Sequence, residues 1–68
     1  MIKIRDFSRL LRQSGIRSFI LSPSFPVLSS RPGNFIVVNV DDEETLYEIG
    51  DYEILRIEIY NDKFNIII

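Results

Sequence analysis

The chain has no cysteine, no histidine, no tryptophan and no alanine. Without cysteine there is no disulfide and no thiolate metal site. Without histidine, Ser8, Ser14, Ser18, Ser22, Ser24, Ser29 and Ser30 lack the base that would activate a hydroxyl nucleophile. The two lysines, Lys3 and Lys63, stand near the chain end and in a tight turn, with no sign of the burial that would lower an amine pKa. A pair of carboxylates facing each other across a cleft needs more chain than this to build the cleft. No catalytic residue, cofactor site or metal ligand set is assigned, and the chain is expected not to be an enzyme. Long apolar runs are missing too. No segment approaches the ~18–20 apolar residues of a membrane span. Lys3, Arg5, Asp6, Arg9 and Arg12 are scattered where a signal peptide would carry its apolar stretch. A cytoplasmic protein with no membrane association is expected.

What is present is greasy and β-branched. The 68 residues are 46% hydrophobic, with twelve Ile and five Phe. That length predicts one domain, 1–68, near the lower limit for folding without staples. The strongest local signal is a β-hairpin over 52–68. Two β-rich runs flank Asn61-Asp62, a good two-residue turn. With these as the central turn residues, the numbers of facing residues sum to 123, so Tyr60 faces Lys63, Ile59 faces Phe64 and Ile57 faces Ile66. Alternation then puts Leu55, Ile57, Ile59, Phe64, Ile66 and Ile68 on one face, expected to centre the core. Arg56, Glu58, Tyr60, Lys63 and Asn65 share the other face, with Ile54 and Ile67 as an apolar end.

Residues 3–14 read as an amphipathic helix, with Ile4, Phe7, Leu10 and Leu11 on one face and Gly15 as its left-handed terminator. Arg17 to Ser22 reads as a strand with Phe19 and Leu21 on one face. The stretch 22–33 holds Pro23, Pro26 and Pro32, which makes it a long loop. Asn34 to Val40 is nearly continuous in apolar residues and is expected to be a central strand, buried on both faces. Thr45 to Ile49 has two readings. As a strand it joins Tyr52–Tyr60 through a Gly50-Asp51 turn, at the cost of setting Glu48 against Glu53. As a short helix it has Asp41 as N-cap, Glu44 closing a capping box and Gly50 beyond its end. The strand is preferred. The expected fold is α+β: an N-terminal helix packed on a small, mostly antiparallel sheet of four or five strands, ending in the hairpin.

Charge divides the chain. Residues 1–34 carry six basic side chains against Asp6 alone, and residues 35–68 carry Arg56 and Lys63 against nine acids. Such asymmetry means a nucleic-acid-facing half, or two halves that complement each other in the fold or across an oligomer interface. Arg5, Arg9, Arg12 and Arg17 are the candidate phosphate contacts. The net charge of −2 and the absence of any nucleic-acid motif make this the second choice. The Asp41–Glu44 run lacks the spaced ligands of a calcium loop and reads as an acidic turn.

The C-terminal pattern is Tyr52-Glu53-Ile54, then Ile57 and Ile59, then Asn61-Asp62-Lys63-Phe64 and Ile66-Ile67-Ile68. It resembles the endings of many short orphan accessory proteins of bacteriophages from low-GC Gram-positive hosts. Those begin with a helix of the Ile4–Leu11 kind and continue into a small antiparallel sheet. The Pro-rich middle departs from that pattern. The resemblance implies a small protein that works by binding, such as an inhibitor of a host or defence enzyme in the host cytoplasm, and it carries over no site residues.

The expected function is therefore protein–protein interaction without catalysis, as a phage-type inhibitor or accessory factor. A nucleic-acid-binding or regulatory protein using the basic helix and a structural subunit of a viral assembly are the alternatives. Phe25, Val27 and Leu28, held between prolines, are the first candidates for partner contact. Ile54 and Ile67 are the second, because an apolar end on a polar face invites self-association, most simply as a two-fold dimer.

Overall fold

The structure is a computed structural model and describes residues 1–24 and 35–68. The first helix, α1, spans Ile4–Gln13. Ile4, Ser8 and Leu11 are buried and Phe7 packs against the core, whereas Leu10, expected on that face, is half exposed. No side chain caps its N-terminus. Its first free N–H groups are met by tertiary contacts instead. Ile4 N–H donates to the Tyr52 carbonyl at 3.0 Å and Arg5 N–H to the Gly50 carbonyl at 3.1 Å. At the other end Gly15 takes a φ of 81°. Ile16 N–H then reaches the Leu11 carbonyl at 2.9 Å and Gly15 N–H the Arg12 carbonyl at 3.1 Å, which closes the helix as its sequence predicts.

Among the described residues four strands follow: β1 (Ser18–Ser22), β2 (Ile36–Asn39), β3 (Arg56–Tyr60) and β4 (Lys63–Ile67), with a second helix, α2 (Glu43–Ile49), between β2 and β3. The sheet order is β2-β1-β4-β3, antiparallel at both outer pairs and parallel between β1 and β4. The fold is thus α+β, with a mixed, mostly antiparallel sheet that ends in the β3–β4 hairpin. The hairpin register matches the sum of 123 along the whole of β3. Asn61 and Asp62 both have positive φ, 50° and 62°, the backbone of a type I′ turn.

Three expectations are corrected. The strand at 34–40 is not central: among the described residues β2 pairs only with β1, and Phe35, Ile36 and Val37 are half or more exposed. Segment 45–49 is helical, not a strand. Its N-cap is Asp42, one residue later than read, because the Asp42 carboxylate accepts from the Thr45 N–H at 3.1 Å and the Thr45 hydroxyl at 2.7 Å. Those bonds hold the Asp42 carboxyl below its usual pKa, the side-chain hydroxyl bond contributing most. Gly50 ends α2 in ordinary helical backbone. What it supplies is space: a methyl group there would collide with the Leu46 carbonyl and stand 3.2 Å from the Arg5 Cβ. This is where the two helices meet.

The third correction concerns the core. Its buried residues are Ile4 and Leu11 of α1, Phe19 and Leu21 of β1, Val38 and Val40 of the β2 segment, Ile54 and Ile66. Phe7 meets Phe64 edge-on at 5.9 Å between ring centres. The core therefore lies under β1 and β4. Of the hairpin face expected to centre it, Phe64, Ile66 and Ile68 pack inward, but Leu55, Ile57 and Ile59 are 57%, 40% and 73% exposed. Helix width explains this. A helix is about 10 Å across with its side chains, and strands lie about 4.8 Å apart, so α1 covers two strands of the four. The second helix follows β2 directly and brings Leu46 beside Val40 and α1. Nothing equivalent follows β3.

Candidate interaction surface

Register fixes what each face of the sheet presents. On the helix-bearing face, Ile57 and Ile59 continue the row of Phe64 and Ile66 out to the edge. On the opposite face, Arg56, Glu58 and Tyr60 of β3 align with Ile67, Asn65 and Lys63 of β4. Arg56 Nε lies 3.2 Å from Glu58 Oε2, an ion pair along the edge strand itself. Further in, the Ser22 hydroxyl donates to Asn65 Oδ1 at 2.8 Å and ties the parallel pair β1–β4 together. Ile20, Ser22, Phe35, Tyr60 and Asn65 line a cleft of about 290 Å³ on this face.

Both outer strands end in large apolar side chains facing solvent: Leu55, Ile57 and Ile59 at β3, and Phe35, Ile36 and Val37 at β2. Among the described residues, neither strand has a neighbour on its outer side. An apolar strand with unpaired N–H and C=O groups is a template for another strand. Sequence reasoning assigned all six residues to the core or to a strand buried on both faces. The pattern tells which face a residue takes, but strand order decides whether anything lies on that face.

The residues picked out for partner contact are placed otherwise. Phe25, Val27 and Leu28 lie outside the described residues. Ile54 and Ile67 are not an exposed apolar end: they are 6% and 5% exposed. Ile54 precedes β3, its N–H bonds to the Ile2 carbonyl at 2.9 Å, and its side chain joins Ile4 in the core. Ile67 sits in a central strand, flanked by Ser22 on one side and Arg56 on the other.

The basic helix face is largely answered from within the chain. Arg5 pairs with Asp51 at 2.9 Å, Arg17 pairs with Asp41, and Arg9 lies 3.8 Å from Asp6. Arg12 has no carboxylate partner among the described residues. Arg5, Ser8, Arg9 and Arg12 line a cleft of about 130 Å³ with Val40 and Leu46. The buried Ser8 hydroxyl has no hydrogen-bond partner there. The charge division along the sequence thus becomes contacts across the fold, two of them joining the basic half to the acidic half. Each exposed pair contributes only about 0–1 kcal/mol. Among the described residues, no group of three or more acidic side chains is gathered to hold a metal ion, and no helix is long and apolar enough to cross a membrane. Comparison with protein-family models, with curated proteins and with solved structures gave no match.

Proposed function

We propose that this chain works by binding another protein, without catalysis, as an inhibitor or accessory factor of the bacteriophage type acting in the host cytoplasm. The observation that supports this is the open sheet: two edge strands whose outer sides are unpaired among the described residues and whose large apolar side chains face solvent. Edges of this kind are normally blunted by charge, proline or a covering helix. Here β2 carries no charged side chain, and β3 sets exposed Ile57 and Ile59 beside an Arg56–Glu58 pair whose charges offset each other. The nucleic-acid reading is less well supported, because Arg5 and Arg17 are already paired with Asp51 and Asp41.

The test is parallel affinity capture from a bacterial host lysate with three baits: the parent chain, Ile57→Lys with Ile59→Lys, and Phe35→Lys with Val37→Lys. Both variants substitute exposed positions and should keep the fold by circular dichroism. The expected result is one protein held in stoichiometric amount by the parent and lost from one edge variant. The same captured set on all three baits would overturn the reading. Binding to random DNA should be weak and should lack the steep salt dependence of phosphate contacts.

A further inference from the structure

The β3 edge matches one occupant in detail, and that is a second copy of itself. We infer that two chains pair through β3, antiparallel about a two-fold axis at Ile57, so that the numbers of facing residues sum to 114. The inference rests on the reading of β3 as a binding edge and names what binds there.

Hydrogen-bond direction comes first. In a two-residue type I′ hairpin the residues flanking the turn, Tyr60 and Lys63, exchange both backbone hydrogen bonds. Bonded and non-bonded pairs then alternate, so Arg56, Glu58 and Tyr60 direct their N–H and C=O groups at β4. Those of Ile57 and Ile59 point away from it, to the side with no strand neighbour among the described residues. The Leu55 N–H is already given to the Ile67 carbonyl at 2.8 Å. With Ile57 opposite Ile57 of the copy, the two Ile57 peptides bond each other, and each Ile59 N–H reaches the Leu55 carbonyl across the axis.

Charge then selects the register. A two-fold axis normal to the sheet keeps like faces together, so facing residues must sum to an even number. A sum of 112 sets Arg56 against Arg56, and 116 sets Glu58 against Glu58, each at the close spacing of a non-bonded pair. A sum of 118 asks Asn61 and Asp62 to pair as strand, which their positive φ values forbid. A sum of 114 places Arg56 against Glu58 of the copy twice. The ion pair within each strand, at 3.2 Å, then becomes part of a square of alternating charges. On the helix-bearing face the same register sets Ile57 against Ile57 with an Ile59 on either side, which gathers these exposed residues of both edges into one cluster. The result is a continuous sheet with β2 at both outer ends.

An interface of one short strand is small, below the size usual for stable complexes, so the pairing should depend on concentration. Light scattering during gel filtration, over a hundredfold range of concentration, should show mass rising from 8.0 kDa toward twice that value. Arg56→Glu alone and Glu58→Arg alone, each checked for unchanged circular dichroism, should stay at the single-chain mass. Mixed in equal amounts they should recover the larger mass, because every facing pair is then opposite in charge. A parent chain at the single-chain mass throughout would overturn the self-pairing, while loss of a captured host protein on the Ile57→Lys, Ile59→Lys bait would leave the binding edge standing. A parent that doubles in mass while either single variant doubles equally well would overturn the register.

Discussion

The two central strands and the two edge strands are built from the same kind of residue and meet different fates. Phe19 and Leu21 of β1 and Ile66 of β4 are buried, while Ile36 and Val37 of β2 and Ile57 and Ile59 of β3 face solvent. The difference is position in the order β2-β1-β4-β3 and the width of one helix, not composition. Hydrophobicity in a strand this short reports where a residue points. It does not report whether a neighbour exists to meet it.

The comparison breaks most visibly under truncation at the centre. Phe19→Ala should cost about 3–5 kcal/mol and Ile66→Ala about 2–5 kcal/mol. At about 0.05–0.15 kcal/mol per residue, such losses approach the whole stability of 68 residues. Urea titrations should find these variants largely unfolded. Gly50→Ala comes next. Its new methyl group would meet the Leu46 carbonyl and the Arg5 Cβ, and forced overpacking of this kind costs about 1–3 kcal/mol. A melt unchanged from the parent would mean that the two helices meet more loosely than described. Ser22→Ala removes the donor to Asn65 at the parallel junction. It should cost about 1 kcal/mol, the usual scale for one internal hydrogen bond. At the edge, Ile59→Ser should change stability by no more than about 0.5 kcal/mol, yet reduce self-association. An edge residue that proves as costly as Phe19 would erase the distinction between edge and centre.

Some of this was legible in the sequence and some was not, for definite reasons. The hairpin register was readable because Asn61-Asp62 supply the two left-handed residues of the turn and the pattern on either side tolerates no slip. The helix end at Gly15 was readable because one residue type suits that φ. Strand order was not, since it depends on which segments lie side by side across the whole chain. The same gap hid the burial of Ile67, whose second strand neighbour, Ser22 of β1, comes from distant sequence. Segment 45–49 was misread because Thr45, Leu46 and Tyr47 suit a strand as well as a helix. What decides is the Asp42–Thr45 cap, and the clash of Glu48 with Glu53 already weighed against the strand. Of the candidate contact residues, the sequence offered Phe25, Val27 and Leu28, which lie outside the described residues, and Ile54 and Ile67, which are buried, whereas the fold offers Leu55, Ile57 and Ile59.

A smaller, pH-dependent effect belongs to that same cap. Because the Asp42 pKa is lowered in the folded chain, its contribution is fully present above the ordinary Asp value of about 3.9 and is lost as pH falls through the lowered one. Parent and Asp42→Ala should therefore differ in melting temperature at neutral pH and converge in strong acid. A difference that persists there would assign the effect to something other than the carboxylate.

Amide hydrogen exchange at Ile57, Glu58 and Ile59, followed by NMR at several protein concentrations, tests the open edge most directly. The Glu58 N–H points at β4 and should be protected at every concentration. Those of Ile57 and Ile59 should exchange rapidly in dilute solution and gain protection as concentration rises. Ile57 and Ile59 protected as strongly as Glu58 at the lowest concentration would mean that the edge is covered within a single chain. No gain at any concentration would mean that it takes no second copy.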